Sequence, residues 1–282
     1  MLPEVLRHLR CPVCRAPLAA LPGALRCPAG HAFDLARQGY VNLLRGRSPG
    51  TGDDAGMVAA RETFLGAGHF APLSAALARA AEAHAGPEGL VVEVGAGTGH
   101  HLRAVLEALP DRYGLALDLS RHAARRAARA HPRLAAVVAD AWEPLPVADA
   151  CAALVLDVFA PRNAAEFRRV LVPGGSLLLV TPAPAHLAEL REPLGLLEVD
   201  PDKARRVSEA LEGHFALAFS ESLAWTLSLA RADVLAVAGM GPSAHHTSPD
   251  VLAARVAVLD EPVRVTAAVQ VQVYRPSSAS AA

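Results

Sequence analysis

The sequence predicts an α/β protein: a doubly wound, mostly parallel sheet with a small separate module at its N-terminus. Three observations carry that expectation. Between residues 90 and 181, short apolar runs alternate with stretches of helical periodicity, the pattern of repeated β-α units. The first of those runs passes straight into a glycine-rich turn, Gly95-Ala96-Gly97-Thr98-Gly99. Three of the four cysteines are gathered near the N-terminus, outside that alternating region.

Residues 1–36 read as the separate module. Cys11, Cys14, Cys27 and His31 follow the spacing C-x2-C-x12-C-x3-H. Two thiols two residues apart can bite one ion from a single tight turn, and the second pair can close a tetrahedron from the far side of a short hairpin. Zn²⁺ prefers such a donor set. All four positions are filled by protein, so the expected zinc is structural. Scattered buried thiols are the plainer alternative. A disulfide fits less well, because three clustered thiols leave one unpaired.

Residues 37–70 read as junction and linker. RQGYVNLL (37–44) is followed by RGRSPGTGDD (45–54), where Gly46, Ser48, Pro49, Gly50 and Gly52 make a linker. Asp53 or Asp54 can cap a helix through about Leu65. The body is expected over 71–275. An Ala-rich helix over 71–85 stops at Gly86-Pro87. A strand at 90–94 precedes a helix at 101–109, whose Leu102, Val105, Leu106 and Leu109 share one face. Next come a strand near 113–117, a helix at 121–130 and a strand at 134–139. An apolar run at 150–159 leads to a helix at 163–171. A Pro173-Gly174-Gly175 turn then opens a strand at 176–181. Two further strands are expected near 215–220 and 263–274, with a helix near 231–238 and a loop at 239–249 between them. The tail 276–282 has the composition of a disordered end.

Hydrophobic residues make up 52% of the 282 residues, ample for a core. No secretory leader is apparent in residues 1–10, and no apolar run reaches the roughly 18 residues a membrane helix needs. A cytoplasmic protein without a membrane partner is expected, in keeping with metal-bound cysteines. The net charge of −1 excludes a basic nucleic-acid coat, but the charge is unevenly placed. In residues 1–50, seven arginines against two acids give +5, which leaves −6 for the rest. A basic module on an acidic body points to an anionic partner; a solvated arginine-rich surface is the alternative.

The turn at 95–99 has the spacing G-x-G-x-G, preceded by Glu93, with His100 where a dinucleotide site would need its third glycine. That is the pattern of S-adenosylmethionine (SAM) methyltransferases. Asp118 closes the second strand, where it can accept from both ribose hydroxyls. Asp140 closes the third, where it can accept from the adenine amino group. Each acid alone could be a helix cap. All three fall at carboxyl ends of consecutive strands, where open α/β sheets bind ligands.

With these residues placed, the chain closely resembles the bacterial 23S rRNA guanine-N1 methyltransferases of the RlmA/TlrB group over about residues 8–274. CPVC…CPAGHAFD resembles the family's zinc module and RQGYVNLL its junction. GDDAGMVAARETFLGAGHF, VVEVGAGTGH, VFAP, RVLVPGG and TPAPAHLAEL have counterparts in the same order. The alanine- and arginine-rich style is most similar to the actinobacterial branch, which includes macrolide-resistance enzymes. The resemblance implies a class I methyltransferase fold and adds site residues: Phe70 in the place of a usual Tyr, Gly97 and Thr98 at the methionine end of SAM, and His186 as a cofactor contact. It also implies a homodimer, a target hairpin in domain II of 23S rRNA, and resistance to tylosin-type (mycinosylated) macrolides.

The expected RNA contacts are Arg7, Arg10, Arg15, Arg26, Arg45 and Arg47, the basic cluster of the module. Guanine N1 carries a proton that must leave for methyl transfer. Asp157, at the end of the 150–159 run, is a candidate acceptor, although the resembled family does not keep an acid there. Two other readings stay open. A small-molecule methyltransferase would need no basic zinc module. A non-catalytic zinc-containing RNA-binding protein would not need Glu93, the glycines, Asp118 and Asp140.

Overall fold

The computed structural model describes residues 1–46, 52–196, 202–241 and 247–277. Arg47, half of the expected linker stretch 45–54, part of the 239–249 loop and the end of the expected tail lie outside the described residues.

The N-terminal module has a short helix α1 (Pro3–Leu6) and a three-stranded antiparallel meander, β1 (Ala19–Leu21), β2 (Ala24–Arg26) and β3 (Ala32–Asp34). Strands of three residues cannot hold themselves together in water. The module also has no core of its own. Val5, Leu9, Cys11, Leu18, Leu25 and Cys27 are buried in one cluster with Leu145 and Val147 of the body. Leu9 bridges Val147, and the Arg10 N–H donates to the Pro146 carbonyl at 2.9 Å.

Residues 37–70 are built into the body. β4 (Val41–Asn42) pairs in parallel with β7 (Leu134–Val138) at the edge of the large sheet. α2 (Ala55–Gly66) follows, with the Asp54 carboxylate accepting from the Met57 N–H at 2.9 Å, and then α3 (Ala71–His84).

The rest of the sheet is formed by β5 (Leu90–Val94), β6 (Gly114–Asp118), β8 (Ala152–Val158), β9 (Leu171–Pro182), β10 (Phe215–Leu229) and β11 (Val263–Pro276). The strand order is β10-β11-β9-β8-β5-β6-β7-β4. The six strands from β9 to β4 are parallel; β11 and β10 add antiparallel at the other edge. Every residue of β5, β7 and β8 is buried, which is why these strands read as unbroken apolar runs. The order reverses at β5, between β6 and β8, so the ligand crevice belongs at its carboxyl end. Helices α4 (His100–Ala108), α5 (Arg121–Ala127) and α6 (Ala164–Val170) make the crossovers.

The C-terminal part departs from the sequence expectation. β10 continues nine residues past the expected end at 220. Its second half alternates Leu223, Trp225, Leu227 and Leu229 with the exposed Ala224, Thr226 and Ser228, the period-two pattern of a strand with one covered face. The Pro173-Gly174-Gly175 turn is a bulge inside β9, where the register against β8 jumps from Leu171 to Ser176. Pro276 is the last residue of β11, paired with Phe215, and not part of a tail. Three helices had no expectation: α7 (Ala188–Leu194), which carries an internal Pro193, α8 (Lys203–Leu211) and α10 (Pro249–Ala257). α9 (Arg231–Gly239) is close to its expected place.

Candidate active site and metal centre

The metal centre is set by two tight turns. The Cys11 N–H donates to the Ala16 carbonyl at 2.8 Å, and Arg15 takes a left-handed φ of 63° to close that knuckle. The Cys27 N–H donates to the His31 carbonyl at 3.0 Å across the second knuckle. The donor atoms of Cys11, Cys14, Cys27 and His31 all lie within 4.8 Å of one another. Individual separations are 3.7 Å for the Cys14 and Cys27 sulfurs, 3.6 Å for Cys11 Sγ to His31 Nδ1, and 3.3 Å for Cys27 Sγ to His31 Nδ1. Four ligands about 2.3 Å from one zinc stand roughly 3.8 Å apart at the corners of a tetrahedron. The donor set and its spacing therefore fit zinc. Burial pushes the Cys27 thiol up, but hydrogen bonds from His31 and the neighbouring thiols outweigh it and bring it down to about 6.

The second site is a cavity of about 880 Å³ at the carboxyl ends of β5, β6, β7 and β8. Phe70, Glu93, Gly95, Gly97, Thr98, Asp118, Asp140 and His186 all line it. Gly95 has φ +68°, and a Cβ there would lie 2.5 Å from the Ala160 Cβ. A side chain at Gly95 would collide with the segment after β8, so the backbone of the turn between β5 and α4 stays bare there. Gly99 is the exception among the expected residues: it caps α4, and a Cβ there would stand 3.3 Å from Ala127, so it serves helix packing and not the cavity wall.

The acids are held in different ways. Glu93 is 1% exposed and accepts from the Leu102 N–H at 3.2 Å. Burial, reinforced by Asp118 and Asp157, holds its carboxyl well above the ordinary range. Asp118 accepts from the Gly97 N–H at 2.7 Å and from the Ser120 N–H at 2.8 Å. Burial raises its pKa, and those two hydrogen bonds oppose the rise. A carboxylate has about four acceptor positions, so room remains for a diol. Asp140 accepts from the Trp142 N–H at 2.9 Å.

Phe70 is buried and packs edge-on against Phe64, His186 and Trp225. Its ring sits in the cavity wall, as expected for a residue that contributes packing. His186 Nδ1 accepts from the Ala268 N–H at 3.2 Å. Asp157 does not line the cavity. It is fully buried, accepts from the Ala160 N–H at 3.1 Å and has Arg162 4.0 Å away. That position fits it to hold the turn after β8 and not to meet a substrate.

Several cavity residues were not singled out in the sequence: Asp53, Arg61, His101, Trp142, Phe159 and Met240. Trp142 and Phe159 are 68% and 39% exposed, at the mouth. Phe159 has φ 58°, a strained conformation for a bulky side chain. These residues come from five separate segments; Asp53, Arg61 and Phe159 fall in segments that resemble the family, whereas His101, Trp142 and Met240 carried no site signal.

Of the expected RNA contacts, Arg7, Arg26 and Arg45 are exposed. Arg45 lies 3.9 Å from Glu143, with both side chains about half exposed. Arg10 is partly buried and donates to the Arg7 and Leu9 carbonyls. Arg15 is turned inward, donating to the Leu145 and Val147 carbonyls at 2.6 and 3.0 Å.

Residues 9–46 match the family described as RlmA, N-terminal, a zinc ribbon, and residues 91–175 match a methyltransferase domain. A Streptomyces fradiae protein named 23S rRNA (guanine(748)-N(1))-methyltransferase is 51% identical, over 97% of this chain and 98% of its own length. The chain belongs to the 23S rRNA (guanine-N1)-methyltransferase family. A family member from Micromonospora griseorubida is 58% identical over 98% of this chain and all of its own length. A chain from a complex of the Haloferax volcanii Trm112 activator with a methyltransferase has a TM-score of 0.51. It is 19% identical and covers 83% of this chain and all of its own, a likeness of fold alone. The chain thus carries a SAM-dependent methyltransferase domain, and the four-donor cluster lies in its zinc ribbon. Among the described residues, no helix is long and apolar enough to cross a membrane.

Proposed function

We propose that this chain transfers the methyl group of SAM to N1 of a guanine in a hairpin loop of domain II of 23S rRNA, so conferring resistance to tylosin-type macrolides. The observation that carries the reading is the full-length likeness to the Streptomyces fradiae enzyme, joined to an intact cavity at the switch of the sheet.

When bound, SAM supplies an electrophilic methyl group in line with its sulfur. The residues of this chain do the rest by positioning. Asp118 accepts the ribose hydroxyls, Asp140 faces the adenine, and the bare turn at 95–99 admits the methionine end. Phe70 and His186 wall the transfer site. A guanine offering N1 cannot be Watson–Crick paired, so it enters from a loop or flipped out. Trp142 and Phe159 at the mouth give such a base aromatic faces to stack on. The exposed arginines of the module, Arg7, Arg26 and Arg45, with Arg10 and Arg47, hold RNA phosphates. Arg15 is left out of that set, because its guanidinium is engaged with the body. A homodimer would bring two such basic modules to one RNA.

The test is methylation of 23S rRNA and of the isolated hairpin with radiolabelled SAM, followed by primer extension. Methylation at N1 blocks the pairing edge, so reverse transcription stops at the modified guanine. Label in a small metabolite and none in RNA would overturn the reading.

A further inference from the structure

Arg61 of α2 lies directly over the glycine turn. A Cβ on Gly97 would stand 3.1 Å from Arg61 Nη1 and 3.2 Å from its Cδ. Nη1 meets Asp53 Oδ2 at 2.5 Å, and Nη2 donates to the Met240 carbonyl at 2.9 Å. Both side chains are largely withdrawn from solvent, at 26% and 21% exposure, yet both line the cavity. Asp53 is fixed in turn: Ser120 Oγ donates to its carbonyl at 2.6 Å. On the same wall, His101 is 9% exposed. Its Nδ1 has no hydrogen-bond partner among the described residues. Burial, with His100 and Arg61 nearby, lowers the pKa of that ring to about 3, so it is neutral.

An ion pair withdrawn from water gains little by itself. A buried polar atom without a partner is a net loss. Three such groups around one turn make sense if a ligand completes them. The ligand must offer both signs of charge, since guanidinium and carboxylate face the cavity together. It must also approach the backbone at Gly97. A guanidinium has five donors, so the bonds to Asp53 and Met240 leave others for an incoming carboxylate.

We propose that Asp53, Arg61 and His101 form the seat for the amino-acid end of SAM. Arg61 binds the α-carboxylate, Asp53 the α-ammonium, and His101 Nδ1 adds a neutral hydrogen bond to the same end. The assignment rests on the SAM reading of the cavity. It also gives Gly97 a second reason to lack a side chain, since a Cβ would crowd Arg61.

The experiment compares two ligands by calorimetry. SAM carries the zwitterionic end; 5′-methylthioadenosine keeps the adenosine and the sulfur but lacks it. Arg61→Gln and Asp53→Asn should each weaken SAM about tenfold to a hundredfold, the scale of charged hydrogen bonds, and leave methylthioadenosine affinity nearly unchanged. Arg61→Lys should recover part of the affinity. Retained methylthioadenosine binding also shows that each variant is folded. Equal weakening for both ligands would mean that the pair only shapes the pocket, and unchanged SAM affinity would place the amino-acid end elsewhere; either overturns the assignment. A wild-type chain that binds neither ligand would instead overturn the cofactor reading beneath it.

Discussion

Arg15, one residue after a metal-site cysteine, donates its Nη1–H to the carbonyl of Leu145 at 2.6 Å, across 130 residues of sequence. With the bond to Val147, it ties the first zinc knuckle to the loop that follows β7. The same loop carries Asp140 and Trp142 to the cavity. Zinc module and cofactor wall thus share one clamp. Arg15→Ala should lower the unfolding free energy by about 1–3 kcal/mol, the range for hydrogen bonds from a charged group. It should also speed amide exchange in residues 140–147. Urea titration and exchange mass spectrometry read the two effects. A change in RNA salt dependence without a fall in stability would return Arg15 to the RNA-binding set.

Zinc is expected at one ion per chain. Cys14→Ser and Cys27→Ser should each release it, by elemental analysis, and loosen residues 9–46. Because the module shares its core with the body, the transition should broaden or its midpoint should fall. Cofactor affinity should drop by less than about tenfold, since none of the four metal donors lines the cavity. Full zinc content in both variants would rule out this ligand set.

Asp118→Ala removes the acceptor of two backbone N–H groups as well as the proposed ribose contact. SAM affinity should weaken by about 1.5–3 kcal/mol. Gly95→Val, at φ +68° with Ala160 in the way, should abolish binding. Calorimetric titrations that match the wild type for both variants would mean that the cofactor lies elsewhere.

Phe159→Ala should reduce methylation of the hairpin at low RNA concentration and leave SAM affinity intact. Removing one base-stacking face costs about 1–3 kcal/mol, and Phe159→Tyr should restore it. Steady-state kinetics against RNA decides: the effect must appear in kcat/KM for RNA. If Phe159→Ala methylates as the wild type does, the base enters by another wall.

Reversing Arg7 and Arg26 to Glu should weaken hairpin binding and flatten its salt dependence. The slope should fall by roughly 0.7–0.9 for each phosphate that the variant no longer neutralises. Titrations over a salt series with identical slopes would move the RNA from the module to the body.

What the sequence made legible was local. The apolar run before Gly95, the acids at strand ends and the four metal donors each sit within a short segment, and periodicity or spacing exposes them. Residues joined only by the fold stayed hidden. Asp53 read as the end of a linker or as a helix cap, the role that Asp54 takes; bonds to Ser120 and Arg61 hold it instead. Asp157 has the right strand and the right end, but the turn through Phe159 and Ala160 covers it. The far half of β10, by contrast, was legible in the sequence, since Leu223, Trp225, Leu227 and Leu229 alternate with Ala224, Thr226 and Ser228.

The pairing of β4 with β7 also bears on how the chain is made. Val41 waits for Val137, 96 residues later, and Arg10 for Pro146, 136 residues later. At about 5–20 residues per second, a ribosome takes on the order of 5–30 seconds to deliver those partners. Through that interval the three short strands have no body to lean on, and the metal is what can hold them. Yield of folded protein should therefore follow zinc supply during translation, and not only the affinity of the finished site.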